Sequence, residues 1–159
     1  MSKKSLRNFY EKFIDFDSAS VKKLEVGCGP STREGHIGMD ILDFGQEIVW
    51  DVDQGIPLAD DSIDELFCQH TLEHVKDLVA VMDEFWRVLR PNGKLTAIVP
   101  HKDNKKALVP THLRLMDEET FRAFEEKESR PHYTSKRWKI DELVKNERPD
   151  VVCIMRPIK

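Results

Sequence analysis

Residues 24–30 read Leu-Glu-Val-Gly-Cys-Gly-Pro, and this stretch decides the fold of the chain. It starts with the apolar character of a buried strand and runs directly into two glycines. Because glycine accepts positive φ angles and carries no Cβ, Gly27 and Gly29 predict a loop whose backbone closely approaches a bound molecule. Acidic residues end the next two strand-like segments, at Asp40 and Asp51. This order of features predicts a ligand site at the ends of successive strands.

Five short apolar segments of the chain are predicted to be strands. They cover residues 22–27, 36–41, 47–52, 63–69 and 94–99. Between the last two, apolar residues recur every three or four positions and predict a helix from Leu72 or Asp77 to Leu89, which Pro91-Asn92-Gly93 stops. A strand, a crossover helix and a second strand imply a parallel sheet whose ligands lie at the carboxyl ends of the strands.

The remaining segments complete one α/β domain. Residues 1–20 have an amphipathic pattern and predict a helix that packs on a domain spanning residues 21–159. Asp117 suits the start of a helix, and residues 138–140 and 151–154 predict a hairpin. We therefore expect a single α/β domain with a mostly parallel sheet and an antiparallel last strand.

Composition and cysteine usage indicate the class of protein. The chain is 40% hydrophobic and 34% charged, and no apolar run approaches the ~20 residues that span a bilayer. It starts with Met-Ser-Lys-Lys, without the apolar stretch of a secretion signal. Cys28, Cys68 and Cys153 are odd in number and lie in strand-like contexts, which favours reduced, buried thiols over nucleophiles. These features predict a cytoplasmic protein without a membrane span.

The segment after the glycines does not suit a dinucleotide. A nicotinamide-binding loop has a third glycine, a full helix, and an acidic residue about 20 residues further on. Here Thr32 stands at the third position, and Asp40 follows Gly29 by only 11 residues. Residues 30–35 have room for about one turn, so we expect a shortened first crossover helix and no seat for a pyrophosphate.

With the Gly-Cys-Gly turn, Asp40, Asp51 and the stretch from Asp60 to Gly93, the chain resembles the class I S-adenosylmethionine-dependent methyltransferases. The resemblance covers most of residues 22–114 and is strongest to compact members of the methyltransferase type 11 group. It implies a Rossmann-like fold, S-adenosylmethionine as cofactor, S-adenosylhomocysteine as its product, and methyl transfer as the reaction.

The resemblance also implies a cofactor pocket with residues for each part of the cofactor. These are Glu25, Gly27, Cys28 and Gly29 for the methionyl end, Asp40 and Ile41 for the ribose, Asp51 and Val52 for the adenine, and Gln69 and His70 beside the transferring methyl group. Asp53 is the alternative to Asp51 as the acid that accepts from the exocyclic amine of adenine.

Methyl transfer from a sulfonium is an in-line displacement, so the enzyme aligns the acceptor and removes its proton when the acceptor is a hydroxyl. Histidine titrates near neutral pH and suits this role. His101, just after the fifth strand, is the first choice for this base. His112, in a Thr-His-Leu-Arg segment that resembles one near the acceptor in the family, and His70 are the next.

Charge is distributed unevenly along the chain. Residues 1–100 contain 11 Lys and Arg against 18 Asp and Glu, whereas residues 101–159 contain 14 against 11. The basic second part predicts an anionic acceptor, such as a phosphorylated or carboxylated sugar, a lipid headgroup or another small molecule, or it is simply a solvated surface. The residues expected to hold the acceptor are Lys102, Lys105, Lys106 and Arg114. With a pI of about 5.9, nucleic acid is not favoured.

Three questions remain open from the sequence: whether the chain binds a metal, what covers the acceptor face, and whether the chain is catalytically active. His70 and His74, four residues apart, could clamp a metal together with Cys68 or His101, as in a metal-dependent hydrolase, but we predict no metal site. Only about 15 residues separate His101 from the next helix, too few for a lid domain, so the acceptor face is open or covered by a second subunit of a homo-oligomer. The rival function is a catalytically inactive interaction module that binds S-adenosylmethionine.

Overall fold

The computed structural model describes residues 22–125 and 133–159, which build one seven-stranded sheet. The strands are β1 (Lys23–Val26), β2 (Ile37–Asp40), β3 (Ile48–Val49), β4 (Ile63–Gln69), β5 (Leu89–Pro100), β6 (Arg137–Lys145) and β7 (Asp150–Ile158). The helices are α1 (Leu78–Val88) and α2 (Glu118–Arg122), with short 3₁₀ helices at Val52–Gln54 and Lys105–Leu108. The predicted helix within residues 1–20 lies outside the described residues.

The sheet has the strand order β3-β2-β1-β4-β5-β7-β6. Strands β1 to β5 are mutually parallel, and β7 runs antiparallel to both β5 and β6. The predicted α/β class with an antiparallel last strand is therefore confirmed. Because β1 to β5 share one direction, their carboxyl ends meet at one edge of the sheet, where a ligand site is expected.

Helix α1 begins and ends for local reasons. The Asp77 carboxylate accepts a hydrogen bond from the Ala80 N–H at 3.0 Å, which caps the helix. The apolar face that packs into the core consists of Val81, Met82, Phe85 and Val88. The helix ends one residue before the predicted Leu89. That residue instead opens β5 by pairing with Ile63, and the turn at Pro91-Asn92-Gly93 forms an irregularity within the strand.

The first crossover, between β1 and β2, contains turns and no helix. The expectation of a shortened helix was therefore wrong, because the turn residues themselves close the crossover. Gly27 has a φ of 71°, and a Cβ at this position would lie 1.9 Å from Thr71 Oγ1. The Arg33 N–H donates to Glu25 Oε2 at 2.6 Å, which ties the loop back to β1. Only glycine fits this turn, so the loop stays close to the sheet edge.

No acceptor lid lies between β5 and α2, because residues 101–117 form only a 3₁₀ turn and an irregular segment. None of the described helices is long and apolar enough to cross a membrane.

Candidate functional site

The first cleft lies at the carboxyl ends of β1 and β2 and beside the segment after β3. Its volume is about 400 Å³, within the range of small-molecule sites. It is lined by Val26, Gly27, Gly29, Met39, Asp40, Ile41, Trp50, Asp51, Val52, Asp53, His70, Thr71, His74, Val75 and Lys76. The sequence predicts seven of these residues as cofactor ligands: Gly27, Gly29, Asp40, Ile41, Asp51, Val52 and His70.

Asp40 is held in place at the end of β2 by two backbone donors. The Gly29 N–H donates to its Oδ2 at 2.9 Å, and the Leu42 N–H donates to its Oδ1 at 3.0 Å. An ionised carboxylate offers about four acceptor sites, so further hydrogen bonds toward the cleft remain available. The glycine loop and the acid after β2 thus form one connected unit.

The carboxylates of Asp51 and Asp53 accept hydrogen bonds from different segments of the backbone. Asp51 caps the 3₁₀ helix, with its Oδ1 accepting from the Asp53 N–H at 3.0 Å. Both oxygens of Asp53 accept from the Lys76 N–H, at 2.9 and 3.2 Å. Asp53 therefore anchors the segment that precedes α1, and this favours Asp51 as the acid that meets a ligand.

Three predicted cofactor residues lie outside the first cleft. Glu25 is buried and accepts from the Arg33 N–H, and Cys28 is buried with its Sγ 3.5 Å from the Gly29 carbonyl. Gln69 lies at the end of β4 and lines a second cleft instead. The structure therefore gives Glu25 and Cys28 supporting positions behind the loop.

All three cysteines are free and buried. Burial raises the pKa of the Cys28 thiol above its ordinary value. It raises the pKa of Cys68 and of Cys153 to about 12. Thiols that stay protonated near neutral pH are poor nucleophiles and poor metal ligands.

The second cleft adjoins the first and has a volume of about 860 Å³. It is lined by Gln69, His70, Glu73, His74, Pro100, Asn104, Lys106, Val109, His112, Arg148 and Asp150. His70 and His74 line both clefts, so the two spaces meet at the residues that follow β4. A molecule in the second cleft would face a molecule in the first across His70.

His70 has a φ of 51°, which is uncommon for a residue other than glycine. Its Nδ1 lies 3.5 Å from Glu73 Oε1, and its Nε2 lies 4.0 Å from Asp150 Oδ2. The contact with the Glu73 carboxylate raises the pKa of His70 above its ordinary value. The chain thus holds an imidazole with raised basicity where the two clefts join.

The structure brings His70 and His112 to one cleft but not His101. His112 lines the second cleft, with its Nδ1 3.2 Å from the Ala107 carbonyl. The buried His101 ring points elsewhere, because its Nδ1 accepts from the Asp103 N–H at 3.0 Å and its Nε2 lies 3.3 Å from Glu118 Oε2. Its role as a base stays a prediction that this geometry does not favour.

The predicted cationic residues have different positions. Lys106 lines the second cleft, whereas the exposed Lys105 does not. Lys102 pairs with Asp117 Oδ2 at 2.7 Å. Arg114 donates to the carbonyls of residues 72, 75 and 76, at 2.6 to 3.1 Å, and so braces the segment before α1. The Arg114 guanidinium therefore stabilises the backbone of this segment.

Sequence reasoning missed four polar residues of the second cleft. They are Glu73, Asn104, Arg148 and Asp150. Asp150 opens β7 and pairs with Pro100 at the end of β5, so the antiparallel strand delivers it to this edge. The predicted strand at residues 151–154 could have indicated Asp150. When such a strand runs antiparallel to β5, its first residue pairs with the last residue of β5.

Comparisons with known proteins agree with the fold. A family model described as a methyltransferase domain matches residues 41–97. A methyltransferase structure from Archaeoglobus fulgidus, dependent on S-adenosylmethionine, is similar with a TM-score of 0.65 at 16% identity, over 98% of this chain and 94% of that one. Another from Mesorhizobium loti gives 0.63 at 14%, over 94% and 96%. No curated protein sequence matches the chain.

Proposed function

We propose that this chain is a class I S-adenosylmethionine-dependent methyltransferase, and that it methylates a small, polar, anionic acceptor held in the second cleft. The observation that carries the proposal is the position of His70, which lines both clefts. A donor in the first cleft and an acceptor in the second meet beside this side chain.

The residues of the first cleft fit S-adenosylmethionine. The cofactor carries an amine, a sulfonium and ribose hydroxyls but no phosphate, and three carboxylates line the cleft, at Asp40, Asp51 and Asp53. Such a lining suits cations and hydroxyl donors and would repel a pyrophosphate. Asp40 would hold the ribose and Asp51 with Val52 the adenine. The carbonyls of Gly27 and Gly29 would accept from the amine of the methionyl end, because the N–H groups of both glycines already donate, to Met39 and to Asp40. When bound, the cofactor supplies an electrophilic methyl group.

The chain's own contribution to the reaction is to align the acceptor and to remove its proton. His70 would accept that proton, because its ring lies at the junction and beside the Glu73 carboxylate. His112, on the wall of the second cleft, and Gln69 would orient the acceptor. Alignment of two reactants held in adjoining clefts supplies much of the rate gain in such displacements.

Two cations on the rim of the second cleft support an anionic acceptor. Lys106 and Arg148 both line the cleft, and both side chains belong to exposed residues. Exposed charges attract a ligand of opposite charge modestly, and salt screens them.

A screen for methyl acceptors tests this function. Purified protein would be incubated with S-adenosylmethionine and with sugar phosphates, lipid headgroups or peptides, and S-adenosylhomocysteine release would be measured. Replacing Lys106 and Arg148 together with alanine is expected to raise the acceptor KM by roughly three- to tenfold, more at low salt than at high salt. Lys139→Ala, an exposed cation on β6, is the matched control.

Turnover of a neutral acceptor whose KM does not depend on salt would contradict the proposal that Lys106 and Arg148 attract an anionic acceptor. Cofactor binding without turnover of any acceptor would favour the rival function, a catalytically inactive binding module.

A further inference from the structure

Glu73 is a buried carboxylate whose side-chain contacts within the described part of the chain are long. It is 1% exposed, and among residues 22–125 and 133–159 neither of its carboxylate oxygens has a hydrogen-bond partner. Its ion-pair contacts are long, at 3.5 Å to His70 Nδ1 and 4.0 Å to His112 Nε2. Burying a carboxylate is costly unless a cation or strong donors compensate it. The structure therefore has a place for an additional positive charge next to Glu73.

Two histidines beside Glu73 each have one ring nitrogen already engaged. His112 Nδ1 lies 3.2 Å from the Ala107 carbonyl, and His74 Nδ1 lies 3.0 Å from the Thr111 carbonyl. Because a carbonyl only accepts hydrogen bonds, each Nδ1 carries the proton and each Nε2 keeps its lone pair. Metal-binding histidines are typically oriented in this way, by donating the other ring N–H to a carbonyl or carboxylate.

The three side chains lie close together. One ligand atom from each of Glu73, His74 and His112 lies within 4.8 Å of the others, and the two imidazole rings meet edge to face with centroids 4.6 Å apart. In a tetrahedral site with bonds of 2.0–2.1 Å, ligand atoms are roughly 3.3 Å apart. The 4.0 Å from His112 Nε2 to Glu73 Oε1 would thus shorten by about 0.7 Å on binding, a side-chain adjustment.

We propose that Glu73, His74 and His112 bind a divalent transition-metal ion on the wall of the second cleft. Two imidazoles and one carboxylate are a ligand set that suits Zn²⁺, and three protein ligands leave a position open toward the cleft. His74 is exposed, which gives the ion a path of entry. The set weighed from the sequence combined His70 and His74 with Cys68 or His101. Among the described residues, the cluster instead consists of Glu73, His74 and His112, and His101 faces Glu118.

The proposal goes beyond methyl transfer and is tested by metal binding itself. The full chain, stripped with a chelator and dialysed, would be titrated with Zn²⁺ against a chromophoric competitor, and with Co²⁺ by visible absorption. We expect one equivalent to bind. Glu73→Gln and His112→Ala should each weaken Zn²⁺ binding by about 100-fold or more, since both remove a ligand. His36→Ala, a histidine at the far end of β2 whose Nδ1 lies 3.1 Å from the Glu34 carbonyl, should leave it unchanged.

Because Glu73 and His112 are largely buried, their replacement could weaken Zn²⁺ binding through misfolding, and a third variant controls for this. The exposed His74→Ala, which loses the hydrogen bond to the Thr111 carbonyl, should lower the melting temperature of the metal-free chain by only about 2–4 °C and still lose Zn²⁺ affinity. Failure of the wild-type chain to bind one equivalent of Zn²⁺, or unchanged affinity in His74→Ala, would overturn the proposal. Titration of the same preparations with S-adenosylhomocysteine reports on the cofactor site independently, so the two proposals can fail separately.

Discussion

Replacing His70 with glutamine is expected to lower the kcat of methyl transfer by about 10²- to 10⁴-fold, the range for loss of a general base. The side chain lines both clefts, and its Nδ1 lies 3.5 Å from Glu73 Oε1. Glutamine keeps a polar side chain of similar reach but has no basic nitrogen. The effect should therefore fall on the chemical step and leave binding nearly intact.

The measurement is steady-state turnover of the acceptor identified by the screen, together with calorimetry of S-adenosylhomocysteine. The acceptor KM and the Kd for S-adenosylhomocysteine should change only a few-fold in His70→Gln, because the loss is confined to the transition state. His36→Gln is the matched control at the opposite end of the parallel strands. A kcat within threefold of wild type in His70→Gln would show that His70 is not the base.

Replacing Asp40 with alanine is expected to weaken S-adenosylhomocysteine binding by roughly 10- to 100-fold, or about 1.5–3 kcal/mol. The carboxylate lines the first cleft and is oriented by the N–H groups of Gly29 and Leu42. Alanine removes the acceptor for the ribose hydroxyls and also releases the glycine loop. Hydrogen bonds to a charged group are among the stronger ones, which is why the loss is large.

Asp43→Ala provides the control for Asp40→Ala. Asp43 lies in the same segment after β2, and its Oδ1 accepts from the Gly45 N–H at 3.0 Å, but it does not line the cleft. Its replacement should leave the Kd unchanged. Equal affinities of Asp40→Ala and wild type in calorimetry would contradict the ribose assignment.

The first cleft is predictable from sequence because its residues follow strands directly. Gly27, Asp40 and Asp51 each come just after an apolar segment, and parallel neighbours bring strand ends to one edge. The start of α1 is equally local, since Asp77 caps it through the Ala80 N–H. Such features need only the order of elements and short-range hydrogen bonds.

The second cleft is less predictable, because distant segments build it. The His101 N–H donates to the Pro149 carbonyl at 2.9 Å. The residue that precedes β7, the last strand of the chain, therefore helps to position His101. The sequence alone predicts that Arg114 is available to bind an acceptor. In the structure, its guanidinium donates hydrogen bonds to carbonyls 38 to 42 residues earlier in the chain. The burial of Glu73 likewise depends on tertiary packing, which periodicity alone does not show.

The central claim, that the cleft at the ends of β1 and β2 holds S-adenosylmethionine, is tested most directly by titration calorimetry of the unsubstituted chain. S-adenosylhomocysteine and NAD would be titrated under identical conditions. The acidic lining at Asp40, Asp51 and Asp53 and the crossover without a helix predict one equivalent of S-adenosylhomocysteine bound and no heat from NAD. Binding of NAD without binding of S-adenosylhomocysteine would contradict the account.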